Sequence, residues 1–129
     1  MKRSVCTVAL VALLAAALAL PVLAAGPSAS KSVLGEDGGK AVVLIRVSAT
    51  NQDIYGVTIK DASGSIEDIV APKGWVGISS GRDVIFRTDE KPIKAGASLS
   101  FRLYTSNADG ELSVSFRDER SLVGQSKTL

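Results

Sequence analysis

The most reactive kinds of side chain are scarce in this sequence. It contains no histidine, and its single cysteine, Cys6, lies near the amino terminus. Histidine is the usual general base near neutral pH, the commonest zinc ligand and the centre of a Ser-His-Asp triad. We therefore expect no catalytic residue, no metal-binding residue and no cofactor, and we predict that the protein is not an enzyme.

One short motif resembles a catalytic sequence. Residues 77–81, Gly-Ile-Ser-Ser-Gly, match the pattern G-x-S-x-G of the nucleophile elbow in α/β-hydrolases. That elbow requires a strand, a sharp turn and a helix, together with a histidine later in the chain. Because the sequence offers neither a helix nor a histidine, we interpret the motif as a Gly/Ser turn between two strands.

Two polar segments could offer oxygen ligands, which calcium prefers. Their oxygen-bearing residues are Asp61, Ser63, Ser65 and Asp68 in one segment, and Asn107, Asp109 and Glu111 in the other. The first segment lacks the acid density of an EF-hand loop, and the second has the composition of a hairpin turn. We predict no metal site, and a weak calcium site is the alternative left open.

Aromatic rings are the remaining candidates for ligand binding. Trp75 follows Pro72 and Gly74, so it enters a strand from a bend, and we expect it to plug the core. The alternative is a solvent-facing Trp75 that forms a small carbohydrate-binding platform with Tyr104. Most other rings fall on the inward parity of predicted strands, namely Phe86, Phe101, Phe116 and, if Val57 and Ile59 face inward, Tyr55.

The first 24 residues have the features of a secretory signal peptide. Lys2 and Arg3 form a basic start, residues 8–20 are an unbroken apolar run, and Pro21 ends it. We place cleavage after Ala24, with Ala25 as the alternative. The apolar run is shorter than the roughly 20 residues of a membrane span, so we expect a secreted protein, periplasmic or extracellular, with no membrane span after cleavage.

Removing this leader changes the charge of the protein. The 15 Lys and Arg residues fall to 13 when Lys2 and Arg3 leave, which equals the 13 Asp and Glu residues. A net charge of zero gives no basic surface for nucleic acid. Cys6 also leaves with the leader, so the mature chain has no disulfide and must be stable through packing and strand pairing alone.

The remaining sequence alternates between apolar and polar residues with a period of two, which is typical of antiparallel strands. The central stretch, residues 71–104, holds two such runs, 83–88 and 98–105, joined by a turn with Pro92 and Gly96. We interpret residues 25–39 as a flexible linker because they are rich in Gly and Ser, although Val33-Leu34 could add a short edge strand. Residues 40–129 are predicted to be one all-β domain, a single antiparallel sandwich of seven or eight strands. The predicted runs are 41–49, 53–60, 65–70, 76–79, 83–88, 98–105, 111–118 and 121–129.

Several segments resemble a known family. The stretches V-T-I-K-D at 57–61, A-P-K-G-W at 71–75, V-I-F-R-T at 84–88 and P-I-K-A-G-A-S-L-S-F at 92–101 are similar to extracellular immunoglobulin-like sandwich modules of bacterial and archaeal surface proteins. The last stretch also resembles a segment of cellulose-binding sandwich modules. The resemblance implies an immunoglobulin-like fold and assigns no activity.

These observations favour a non-enzymatic module that acts outside the cytoplasm. We expect a structural or protein-interaction role at the cell envelope or outside the cell, with another envelope or extracellular protein as the partner. Edge-strand pairing or a flat sheet face is the expected means of contact. The alternative function is a small carbohydrate-binding module that uses Trp75 and Tyr104.

Overall fold

The computed structural model describes residues 26–129, so the predicted signal peptide, residues 1–24, lies outside the described residues. The described part contains nine β-strands and no helix. In chain order the strands are β1 (Ser28–Asp37), β2 (Lys40–Ser48), β3 (Gly56–Asp61), β4 (Ile66–Val70), β5 (Val76–Ser79), β6 (Asp83–Arg87), β7 (Ser98–Thr105), β8 (Leu112–Arg117) and β9 (Leu122–Thr128).

The strands form two antiparallel sheets that share one core. Sheet 1 has the order β1-β2-β7-β4, and sheet 2 has the order β5-β6-β3-β8-β9. The prediction of an all-β antiparallel sandwich is therefore confirmed, with nine strands instead of seven or eight. Within residues 26–129 no helix is long and apolar enough to cross a bilayer.

The core follows directly from the two-residue alternation. On β2 the side chains of Val43, Ile45 and Val47 are almost fully buried, and Phe86, Phe101 and Phe116 are buried completely on three other strands. Each such side chain contributes about 1.5–3 kcal/mol when it leaves water. Intervening residues face solvent, which is the pattern of a sheet that covers the core on one face only.

Strand β1 corrects the prediction of a flexible linker at residues 25–39. It pairs with β2 from Ser28 opposite Ser48 to Asp37 opposite Lys40, with a register shift between Val33 and Gly35. The sheet thus begins before residue 40, and the edge strand is longer than the two residues expected. An edge strand is held mainly by its backbone ladder, so its side chains stay polar and resemble a linker in composition.

Strand β2 has apolar residues on both faces, which is typical of a central or partly covered strand. It lies between β1 and β7 in sheet 1. The half-buried outer residues Val42 and Leu44 stand beside Tyr104 and Arg102 of β7. The long neighbouring side chains therefore cover the outer face of this strand.

Candidate functional site

Trp75 lies in the core, as expected from its position after the bend at Pro72 and Gly74. Its side chain is only 7% exposed, and its indole Nε1 donates a hydrogen bond to the backbone oxygen of Lys91 at 2.9 Å. Its ring meets Phe101 edge-on, with centroids 5.1 Å apart and planes at 78°. An edge-to-face pair of this kind adds to the burial of two large apolar rings, so Trp75 presents no open face to a ligand.

The loop that carries Trp75 is fixed by a buried hydroxyl that the sequence did not single out. Thr88 Oγ1 donates to the backbone oxygen of Gly74 at 2.8 Å and accepts from the backbone N–H of Lys91 at 3.0 Å. Gly74 has a φ of 87°, and a Cβ there would lie 2.6 Å from Lys91 Cδ. The backbone angle therefore favours glycine at the bend before Trp75, and the Lys91 side chain would have to shift to admit a Cβ there.

Tyr104 stands on the other side of sheet 1. It lies opposite Val42 of β2 and Asp68 of β4, on the outward parity of β7, and it is half-buried. Trp75 contacts Phe101, which lies on β7 like Tyr104 but points into the core. One ring is inside the sandwich and the other outside, so the two-ring carbohydrate platform of Trp75 and Tyr104 does not form.

The first proposed calcium segment is a hydrogen-bonded turn. Asp61 is 2% exposed, and its carboxylate accepts bonds from the backbone N–H and hydroxyl of both Ser63 and Ser65, at 2.6–3.1 Å. Burial would raise the pKa of Asp61, but these hydrogen bonds outweigh it and hold the pKa below its ordinary value. Across residues 26–129 no group of three or more acidic, histidine or cysteine side chains could hold a metal ion.

Strand β5 is the most apolar exposed edge of the sandwich. Val76 is 65% exposed and Ile78 is 63% exposed, and both point outward at the end of sheet 2. Ile78 stands opposite Ile85 of β6, which is itself 38% exposed. These three side chains form a continuous patch, which we call the β5 patch.

The other three sheet edges carry features that discourage strand addition. Folded proteins protect edge strands with charges and with bulges that twist the edge away. Register shifts interrupt the pairing of β1, β4 and β9, and all three strands contain charged residues. Strand β5 has a regular register with β6, and no charged residue occurs from Val76 to Gly81.

The backbone of β5 also has groups available on its open side. Ser80 N–H donates to Asp83 C=O at 3.0 Å, one step beyond the pair formed by Ser79 and Val84. Hydrogen-bonded and non-bonded pairs alternate along an antiparallel ladder. Counting back from Ser80, the N–H and C=O groups of Gly77 and Ser79 therefore point away from β6, toward the open edge.

Sequence reasoning placed β5 correctly but did not single it out as a site. The available signal is the run Val76–Gly81, which lacks charge although 22% of all residues are charged. Exposure could not be inferred, because a short apolar strand has the same composition whether it lies in the middle of a sheet or at its edge. That no further strand of residues 26–129 pairs with β5 appears only once both sheets are assembled.

Comparisons with known proteins add little to this description. No family model matches the sequence, and no curated protein matches it. Two crystal structures of a GH20 exo-β-N-acetylglucosaminidase from Vibrio harveyi, an inactive mutant and a complex with N-acetylglucosamine, each align with a TM-score of 0.49 and 11% identity. The alignments cover 81% of this chain and 17% of the enzyme, and a likeness this low supports no conclusion about function.

Proposed function

We propose that this protein is a secreted, non-enzymatic β-sandwich that serves as a structural or protein-interaction module at the cell envelope or outside the cell. The observation that carries the proposal is the β5 edge, with its exposed Val76 and Ile78 and the outward-pointing backbone groups of Gly77 and Ser79. An extended segment of another envelope or extracellular protein would add to sheet 2 at this edge. Backbone hydrogen bonds would supply affinity, and contacts with the β5 patch would supply selectivity.

The non-enzymatic part of the proposal rests on composition. The sequence has no histidine, and its one cysteine is at position 6, within the segment that we expect to be removed. The most buried carboxylate, Asp61, is held by four hydrogen bonds within its own turn. The secreted part rests on the leader composition of residues 1–24.

The immunoglobulin-like resemblance finds partial support in the strand layout. Four strands face five, as in variable-type immunoglobulin domains, and the first three and last three strands occupy corresponding places. The chain order differs in the middle, because β4 joins sheet 1 before β5 and β6 complete sheet 2. We propose that the protein has an immunoglobulin-like arrangement of strands in which the connection between β3 and β7 follows a different path.

The decisive experiment compares two lysine substitutions in binding assays. Ile78→Lys places a charge on the β5 edge, and Leu122→Lys is its matched control because Leu122 is 65% exposed on β9, at the opposite edge of the same sheet. A partner cross-linked from the native envelope fraction, identified by mass spectrometry and purified, should bind the unmodified protein and Leu122→Lys equally. Its affinity for Ile78→Lys should fall by about tenfold or more.

A second variant separates strand addition from simple apolar contact. Ser79→Pro removes an N–H that the β5–β6 ladder does not use, so the fold should be retained while an added strand loses a hydrogen bond. Position 77 is unsuitable, because a Cβ there would lie 2.8 Å from Ile69 Cδ1. Equal binding of the purified partner to all four proteins would contradict the proposed role of the β5 edge.

A further inference from the structure

Strands β6 and β8 end in the same four-residue pattern, Phe-Arg-x-acid. The two segments are Phe86-Arg87-Thr88-Asp89 and Phe116-Arg117-Asp118-Glu119. Both strands are antiparallel to β3, which lies between them, so both patterns reach the same end of sheet 2. Each phenylalanine is buried opposite Val57, and each arginine is exposed opposite Gly56.

Gly56 lies between the two arginines and is itself buried, although it carries no side chain. Neighbouring strands are about 4.8 Å apart, so the backbones of Arg87 and Arg117 are separated by about 10 Å with no side chain between them. A Cβ on Gly56 would lie 3.4 Å from Arg117 Cβ and 3.9 Å from Arg117 Cδ. The resulting groove, which we call the Gly56 trough, has a volume of about 410 Å³, within the range of small-ligand sites.

The trough combines groups that can only donate hydrogen bonds with groups that can only accept them. Arginine is a pure donor and an ionised carboxylate a pure acceptor, and the lining includes Arg87 and Arg117 together with Asp89, Asp118 and Glu119. Within residues 26–129 neither arginine side chain forms a hydrogen bond or an ion pair, and residues 1–25 contain no acidic side chain. The guanidinium groups are therefore not committed to a carboxylate of their own chain.

Two of the other polar groups have defined roles. The Asp118 carboxylate accepts from the backbone N–H groups of Arg120 and Ser121 at 2.7 and 2.8 Å, so it is largely occupied. Desolvation, followed by the nearby charge of Glu119, raises the pKa of Tyr55, which keeps its hydroxyl protonated. Tyr55 was expected to face inward if Val57 did, but it is half-buried and lines the trough.

We propose that the Gly56 trough binds a neutral saccharide unit. A sugar hydroxyl both donates and accepts, so it can accept from an arginine and donate to Asp89 or Glu119 at the same time. An anionic ligand would face three carboxylates and a cationic ligand two guanidinium groups, which disfavours either charge. At one end the exposed Ile85 offers an apolar surface to the C–H face of a sugar ring.

This site differs from the platform predicted by sequence, since it uses neither Trp75 nor Tyr104. Its central residue, Gly56, lies on β3, two strands away from β5, although the trough shares Ile85 with the β5 patch. Gly56→Val leaves Val76 and Ile78 of that patch unchanged. Sugar binding at Gly56 and partner binding at β5 can therefore be tested with separate variants.

The test is an NMR titration of the isotope-labelled protein with neutral disaccharides, namely cellobiose, maltose and lactose, and with sodium acetate and an acidic peptide as separate arms. Sugar binding at a single site is expected with a dissociation constant of about 1 mM. The signals that should shift are the amides of residues 55–58 and the Nε–H groups of Arg87 and Arg117. Gly56→Val, which fills the trough and suits a strand, should weaken binding about tenfold or more. The double variant Arg87→Gln/Arg117→Gln should do the same.

Two control variants keep the result interpretable. Arg102→Gln removes an exposed arginine from the outer face of sheet 1, and Ser113→Val adds the same side chain to another outward position of sheet 2. Both should bind sugar as the unmodified protein does. The proposal is overturned if no disaccharide shifts these signals, if Gly56→Val binds as well as the controls, or if acetate or the acidic peptide binds in place of sugar.

Discussion

Trp75 shows how one side chain can join a loop to the core. Its ring packs on Phe101 while its N–H is bonded to Lys91 in the loop after β6, and Thr88 ties the same loop to Gly74. The ring therefore supplies both apolar burial and a satisfied polar contact. Loss of the ring would leave a cavity between the sheets and also release the loop.

We expect Trp75→Ala to lower the free energy of unfolding by about 3–5 kcal/mol, as for other large core truncations. Urea unfolding followed by circular dichroism measures this directly. In the unmodified protein the Trp75 fluorescence should be blue-shifted and poorly quenched by acrylamide. A nearly neutral substitution, or free quenching, would contradict the core position of Trp75.

Asp61 is the residue at which pH should act on stability. Its pKa is lowered in the folded protein from an ordinary value of 3.8. A lowered folded pKa means that the unfolded chain binds the proton more readily, so the stabilising contribution is present above that ordinary value. It is lost as the pH falls through the folded pKa.

We therefore expect Asp61→Asn to lower the free energy of unfolding by about 1–3 kcal/mol near neutral pH, because the amide cannot accept from both serines. The difference from the unmodified protein should shrink as the pH falls below the ordinary pKa. Asp109→Asn, at an exposed residue of the turn before β8, is the control. Urea unfolding across the acidic range tests this, and a difference that grows toward acid would contradict it.

At the scale of the elements, β1 and β5 show where sequence patterns are sufficient and where they are not. Interior strands such as β7 and β8 alternate clearly because one face is buried, so their positions were predicted within one or two residues. Strand β1 was interpreted as a linker because an edge strand needs few apolar side chains. Strand β5 was recognised as a strand, but its exposure depends on the order of strands in sheet 2, which no local pattern encodes.

Removal of residues 26–37 should have a large effect if β1 belongs to the sandwich. The truncation removes the ladder with β2 and the bonds from Lys31 Nζ to the backbone oxygens of Ala108 and Gly110, at 3.1 and 3.2 Å. We expect a lower midpoint of urea unfolding and increased light scattering, because β2 becomes an exposed apolar edge. Unchanged stability of the truncated protein would contradict a role for β1 in the sandwich and would favour the linker interpretation.

At the scale of the whole molecule, the two-layer arrangement could be predicted from alternation and turn composition, whereas the candidate sites could not. The Gly56 trough depends on two separate strands that place Arg87 and Arg117 on either side of one glycine. The failed platform of Trp75 and Tyr104 has the same cause, since two residues on the two faces of a sheet cannot meet. The alternation in the sequence predicts which face of the sheet a side chain lies on. It does not predict which residues of neighbouring strands lie beside that side chain.

The predicted leader also has consequences for the whole chain. We expect the exported protein to begin at Ala25 and to carry equal numbers of acidic and basic side chains. Intact mass spectrometry of protein recovered from the periplasm or medium measures the start of the chain. Recovery of the full 129-residue chain from the membrane fraction would contradict cleavage.

The central claim is that the β5 edge is an open strand that accepts a partner, and amide exchange resolved by NMR tests it most directly. In the isolated protein the amides of Gly77 and Ser79 should exchange rapidly while that of Ile78, bonded to β6, exchanges slowly. Addition of the purified partner should slow exchange at Gly77 and Ser79. Slow exchange at these two amides in the isolated monomer, or rapid exchange that the bound partner leaves unchanged, would contradict the claim.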